Sequence, residues 1–251
     1  SQPLTSPDAF FIALRNGSLV FAFDKVSAKA AALALGNPKD PARINDSGLP
    51  PTPSQMGNFV CKGRGYTWVK NRVVVPVYDD KYEYVAGFLG RSIWPQCKSC
   101  KKWHDPNNDC PKKSYEIKEC EKWLNGSFQS TNYLYNYWFA LSHIQKTGVA
   151  ILVEGAGDVW RLEENGIHVG LGLFGTELTD PQRVLLDRSG ALSIIVMLDA
   201  DQAGQEGSKR LKAQLGRQYR MYFPKIKDDA GALNRDEITE DIKPIIEKAT
   251  I

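Results

Sequence analysis

The sequence predicts an α/β chain in two parts: an α+β amino-terminal region, then a domain built on a mainly parallel sheet flanked by helices. Three observations carry this. From residue 149 onward, short apolar runs alternate with helical patterns, as crossovers between parallel strands require. Before that point, apolar runs come in pairs across turn signals, as hairpins do. The composition, 42% hydrophobic and 24% charged over 251 residues, is that of a globular chain and excludes disordered, collagenous and coiled-coil classes. The expected segments are 1–58, 59–147 and 148–251.

In chain order, residues 10–23 hold two apolar runs around Asn16-Gly17, a hairpin signal. An Ala-rich helix is expected over about 25–35, closed by Gly36. Pro38, Pro41, Pro50, Pro51 and Pro53 mark 37–57 as a linker. Residues 72–78 and 83–89, joined by Asp79-Asp80-Lys81, read as a second hairpin, with Pro76 indicating an edge strand or bulge. Residues 95–122 lack periodicity. Residues 131–146 regain helical spacing, with Leu134, Tyr137, Trp138, Leu141 and Ile144 on one stripe that reads as core. Strands follow at 149–153, 167–173, 193–198 and 220–223. Helices are expected at about 157–165, from Asp180 as N-cap with Pro181 at the first position, at about 203–215 and at about 236–248.

Lys plus Arg is 32 and Asp plus Glu is 29, a formal net charge of +3 that leaves the partner open. No apolar run approaches the roughly 18 residues of a membrane span, so no membrane partner is expected. The chain opens Ser-Gln-Pro without Met or a signal peptide, which suggests a processed end or a domain excised from something longer. Three of five Cys crowd into 97–110, which favours metal binding in a reducing compartment over a disulfide framework.

Ligands of open parallel sheets sit at the carboxyl ends of the strands, and the acids fall there. Glu154 follows the first strand, Asp199 and Asp201 the third, and Asp228 and Asp229 lie just past the fourth. Asp158, four residues beyond Glu154, could be turned toward the same place by a helix. Converging carboxylates repel unless a hard cation binds them, and Mg²⁺ takes one or two carboxylates with waters and substrate phosphates. Asp at a strand end can instead simply cap the next helix. That covers one of these positions better than all of them.

Val153-Glu154-Gly155, Asp199-Ala200-Asp201 and Lys227-Asp228-Asp229, each after a strand, resemble the Toprim domain over about 149–235. Glu154-Gly155-Ala156-Gly157-Asp158 is similar to the primase version, while the last motif departs from the usual Lys-Asp-Pro-Asp-Glu. Asn71–Val77 with Gly87–Arg91 resembles the basic subdomain of bacterial and phage primases. Glu121–Gly126 and Tyr133–Asn136 resemble its next landmarks, extending the likeness to about 60–250. The resemblance implies a DNA primase core from a phage, plasmid or mobile element. It would make short RNA on single-stranded DNA from ribonucleoside triphosphates, with Mg²⁺ or Mn²⁺. Asp199, Asp201 and Asp228 would hold the metal, Asp158 would join them, and Glu154 would be a further ligand or the general base. A replicative helicase, fused or separate, and a cytoplasmic setting (bacterial nucleoid or phage-infected host) are also implied.

Lys62, Arg64, Lys70 and Arg72 carry no acid among them and interleave with Tyr66 and Trp68. Cations that track phosphates and rings that stack bases suit a single strand, although a solvated strand would look alike. The resemblance adds Arg91 and Lys122 to this face.

Cys97-x2-Cys100-x3-His104-x5-Cys110 has the ligand types and span of a zinc site. Its length equals that of a retroviral-type zinc knuckle with His displaced by one place. Cys120 is the alternative fourth ligand, and Cys61 reads as a buried thiol. With seven Lys between 98 and 122 and no apolar core, the loop needs a metal to fold. Two rival readings stand beside the primase: a Toprim nuclease or topoisomerase fragment, and a DNA-binding recombination mediator without catalysis.

Overall fold

The computed structural model describes residues 10–13, 19–22, 72–83, 85–126, 128–227 and 229–250. The helix over 25–35, the 37–57 linker and Cys61 lie outside them. The chain forms two compact units. The first comprises Ser1–Val77 with Tyr84–Phe128, and the second Tyr78–Glu83 with Gln129–Ile251. These units divide near 128/129, and the turn at 78–83 goes with the second unit.

The first unit is a five-stranded sheet in the order β1-β2-β3-β4-β5. β1 (Phe10–Ala13) and β2 (Leu19–Ala22) pair antiparallel, with Phe10 opposite Ala22 and Ala13 opposite Leu19. The expected hairpin is therefore present. β2 runs parallel to β3 (Arg72–Tyr78). β4 (Val85–Ser92) pairs antiparallel with β5 (Trp123–Asn125). Between β4 and β5 lie the cysteine loop and a short helix, α1 (Ser114–Glu119).

The second unit is a four-stranded parallel sheet in the order β7-β6-β8-β9. These strands are β6 (Val149–Val153), β7 (Gly170–Gly172), β8 (Ser193–Met197) and β9 (Arg220–Tyr222). β6 is wholly inaccessible, and β8 nearly so. This is why both read as unbroken apolar runs: a parallel strand covered on both faces has no polar side. Helices α2 (Tyr137–Thr147), α3 (Ala156–Glu164), α4 (Asp180–Arg188) and α5 (Gln202–Leu215) accompany the strands. α6 (Arg235–Glu237) passes through a π-helical turn, Ile238–Ile242, into α7 (Lys243–Ala249).

Two local expectations are corrected. The N-cap of α4 is Thr179, whose hydroxyl accepts from the Gln182 N–H while the Gln182 side chain accepts from the Thr179 N–H at 3.0 Å. Asp180 therefore sits inside the first turn. The 131–146 stripe buries Leu134, Tyr137 and Ile144, but Trp138 is 44% exposed and stacks on Tyr82. The segment before α2 covers an edge strand: Tyr135 and Gly172 exchange both backbone hydrogen bonds, which removes an open edge from β7. No helix among the described residues is long and apolar enough to cross a membrane.

Candidate active site and metal centre

Register places the acids together. Val153 of β6 lies opposite Met197 of β8, so both chains leave the sheet at the same level. Glu154 is the first residue past β6, and Asp199 follows β8 after Leu198. The Asp199 N–H donates to Glu154 Oε1 at 3.0 Å, fixing the carboxylate against the next strand's exit. Asp201 N-caps α5, accepting from the Gly204 N–H at 2.8 Å. The helix start packs hard against this turn. A Cβ on Gly204 would lie 2.0 Å from the Asp199 carbonyl oxygen, and one on Gly207 2.6 Å from that of Thr176, so only glycine fits at either place.

Asp158 lies near the same acids, its charge acting on both Glu154 and Asp199, but both its carboxylate oxygens accept backbone hydrogen bonds. Its Oδ2 accepts from the Gly155 N–H at 2.8 Å, within the first turn of α3, and its Oδ1 accepts from the Gly231 N–H at 3.0 Å. Arg161 Nε adds a bond to the Gly231 carbonyl at 3.1 Å. Together they draw in the 3-10 turn Ala230–Ala232, which Asp229 precedes. Asp228 lies outside the described residues. Asp229, which sequence reasoning noted but left out of the ligand set, is the acid of this motif that the structure describes.

The acids act on one another electrostatically. Burial, then the charges of Glu154, Asp158, Asp229 and Asp201, push the Asp199 carboxyl up to about 7. Glu154 is also raised, by burial opposed by the Asp199 N–H, and by Asp201, Asp158 and Asp229. Carboxylates that hold one another partly protonated are a site that a divalent cation would relieve. The donor set is all oxygen, partly buried at Glu154, Asp199 and Asp229 and exposed at Asp201, and it fits a hard cation.

The cysteine loop makes a second centre, in the first unit. The ligand atoms of Cys97, Cys100, His104 and Cys110 all lie within 4.8 Å of one another. The Sγ atoms of Cys97 and Cys110 are 3.8 Å apart, and Cys100 Sγ is 3.3 Å from His104 Nε2. Two sulfurs on a tetrahedral ion with bonds of about 2.3 Å stand about 3.8 Å apart, so the spacing fits zinc. His104 Nδ1 lies 2.9 Å from the Asp105 carbonyl. A proton there leaves Nε2 as the metal-facing atom. Backbone N–H groups of Cys100 and Ser99 bring the Cys97 thiol down to about 6. Bonds to Cys100 and Cys97 push Cys110 up to about 11. Burial lowers His104, but the Asp105 carbonyl with Cys100 and Cys97 outweighs it, so its net shift is upward. Cys120 is not in the group. It closes α1, and its carbonyl accepts from the Trp103 N–H. None of the described cysteines is in a disulfide.

The basic face is only partly described. Lys62, Arg64, Tyr66, Trp68 and Lys70 lie outside the described residues. Arg72 is corrected: it is 2% exposed, not on a solvated face. Its guanidinium donates to the carbonyls of Gly90 (2.8 Å), Glu119 (2.6 Å), Glu121 (2.9 Å) and Lys122 (3.5 Å). It therefore clamps the return from the metal loop onto β4, both terminal nitrogens being committed to backbone carbonyls. Arg91 is half-buried over the Trp123 ring, with Nη1 on the Ser92 carbonyl at 3.2 Å. Lys122 is exposed.

Residues 148–222 match the Toprim domain family. The chain is 29% identical over 224 residues to the DNA primase of Escherichia coli K12, covering 85% of this chain and 33% of that protein. It is 30% identical over 152 residues to the DNA primase of Halalkalibacterium halodurans, covering 59% of this chain and 21% of that protein. The chain thus spans a third or less of the length of these relatives. Among solved structures, the catalytic core of E. coli primase superposes with a TM-score of 0.55 at 28% identity, over 76% of this chain and 56% of that one. The zinc-binding and RNA polymerase domains of Aquifex aeolicus primase give 0.54 at 26%, over 75% and 41%. Residues 148–222 thus resemble the Toprim domain family, in a chain whose fold is similar to that of bacterial primase catalytic cores.

Proposed function

We propose that the chain is the RNA-polymerising core of a DNA primase, making short RNA on a single-stranded DNA template from ribonucleoside triphosphates. The observation that carries this is the convergence of Glu154 at the end of β6 and Asp199 and Asp201 past β8 with Asp229 from the turn beyond β9, where burial and then the neighbouring acids push Asp199 up to about 7. The likeness beyond the Toprim segment, over 85% of the chain, favours a primase over a Toprim nuclease, a topoisomerase fragment or a recombination mediator.

In this reading Asp199, Asp201 and Asp229 hold Mg²⁺, and Asp228 stays a further candidate. When bound, the ion neutralises charge on the transferring phosphate and favours the ionised 3′-hydroxyl. Glu154, fixed by the Asp199 N–H and raised by burial and then by the neighbouring acids, is a further ligand or receives the hydroxyl proton. Asp158 is a positioning residue that holds the turn carrying Asp229. Lys62, Arg64, Tyr66, Trp68 and Lys70, with Arg91 and Lys122, form the template path, and Arg72 supports it from within. Zinc in the Cys97, Cys100, His104 and Cys110 set holds the loop between β4 and β5. The replicative helicase would be the partner, in a bacterial or phage-infected cytoplasm.

The test uses the full chain with Mg²⁺ and end-labelled single-stranded DNA, with and without ribonucleotides. Template-dependent RNA with the DNA left intact supports the proposal. DNA shortened in the absence of nucleotides makes the chain a nuclease and overturns it.

A further inference from the structure

The seven lysines between 98 and 122 are not equivalent in the folded loop. Lys102 is paired with Glu121 at 2.5 Å, and Lys113 stands 4.0 Å from Glu116. Of the other five, Lys122 belongs to the template face already proposed, and Lys98, Lys101, Lys112 and Lys118 are exposed and make no ion pair among the described residues. The nearby acids are mostly committed elsewhere. Asp105 accepts from the Asn107 N–H, and Glu116 from the N–H groups of Lys112 and Lys113. Asp109 and Glu119 are the exposed acids left, two against four cations.

Lys101 carries a second signal. Its φ is +61°, in the left-handed region that residues other than Gly, Asn and Asp rarely enter. The turn demands this conformation. The Lys101 N–H donates to the Cys97 carbonyl at 2.9 Å, the Cys97 N–H donates to the Lys102 carbonyl at 2.7 Å, and Gln96 Nε2 reaches the Lys101 carbonyl at 3.1 Å. That reversal is what brings Cys97 and Cys100 together. Glycine would make it without strain. A strained cation at the tip does nothing for the turn, and strain kept without a folding benefit points to function. The same loop carries an exposed ring on α1: Tyr115 is 53% exposed, with Lys113 Nζ 5.8 Å from its centroid. Free cations and an exposed ring are the two components of sequence-tolerant single-strand binding.

We propose that the metal loop is a second single-stranded nucleic-acid surface, with Lys98 and Lys101 on phosphates and Tyr115 against a base. The proposal rests on the primase reading only for the identity of the strand, DNA.

The test is fluorescence anisotropy of the zinc-loaded full chain with labelled oligothymidylate at several salt concentrations, with zinc measured in every variant. Replacing Lys98 and Lys101 together by Gln should keep the zinc and weaken binding. The dependence of log affinity on log salt should flatten by about 1.4, from about 0.7 per phosphate contact on a single strand. Lys101→Gly should melt no lower than the parent yet bind more weakly, a split that a purely structural lysine would not give. Tyr115→Ala should weaken binding with the slope unchanged. Unchanged affinity and slope in the double variant, loss of its zinc, or unchanged binding by Lys101→Gly would each overturn the proposal. RNA synthesis is scored separately. RNA without a change of slope removes this surface and leaves the polymerase reading, and a change of slope without RNA does the reverse.

Discussion

Replacing Asp199 by Asn should make the metal-free chain more stable while stopping its chemistry. In the fold this carboxyl titrates at about 7 against an ordinary 3.8. Between those values the folded chain holds a proton that the unfolded chain has released, so stability is greatest at the acid end of the window. It falls as the pH rises toward 7 and stays low above it. A shift of about three units corresponds to at most about 4 kcal/mol, and solvent screening at a half-buried carboxyl reduces this to about 1–2 kcal/mol. For a unit of this size that is about 3–8 °C in Tm. Asn keeps the shape and removes the charge, and the bond that fixes Glu154 comes from the backbone N–H of residue 199, so it survives. Thermal melts in a chelator should show Asp199→Asn above the parent by this amount at pH 8, with the gap narrowing toward pH 5. Added Mg²⁺ should raise the parent more than the variant. A variant equal to or below the parent at pH 8, or a gap that widens toward acid, would refute the reasoning.

Four further outcomes are expected. Protein purified without added metal should contain one zinc per chain by elemental analysis, lost in His104→Ala and kept in Cys120→Ala. Asp201→Ala should abolish RNA synthesis, whereas Asp158→Asn should lower it by about 10–100-fold, as for a group that orients ligands rather than binding metal, and raise the Mg²⁺ needed for half-maximal rate. Arg72→Met should lower stability in denaturant melts by about 2–4 kcal/mol, because buried carbonyls lose their donor. The Mg²⁺ needed for half-maximal RNA synthesis should rise as the pH falls below about 7, since the cation must then displace the proton on Asp199.

The parallel sheet was legible because its central strands are covered on both faces and carry no polar side to confuse the pattern. The acid positions followed from where those strands end. The grouping of Cys97, Cys100, His104 and Cys110 was legible in their spacing, whereas the choice between His104 and Cys120 needed the fold, in which His104 joins the group and Cys120 closes α1. Arg72 misled because its burial depends on carbonyls 18 to 50 residues away, a separation that no local pattern reports. The cap of α4 was readable and overlooked: Thr179 with Gln182 three residues on is a capping box, and Asp180 beside it drew the assignment. The role of Asp229 needed the fold, because the bonds of Asp158 and Arg161 to Gly231 set where the turn lies.

The most direct measurement is whether the chain starts RNA chains of its own. The reaction contains the full chain, unlabelled single-stranded DNA, Mg²⁺, all four ribonucleotides and a purine nucleotide labelled on its γ-phosphate. RNA begun from a single nucleotide keeps that label at its 5′ end, whereas extension of an existing end discards it as pyrophosphate. A primase core should give a ladder of short labelled RNA that disappears in Asp199→Asn. Absence of labelled RNA from a zinc-loaded chain that binds the template would contradict the primase reading.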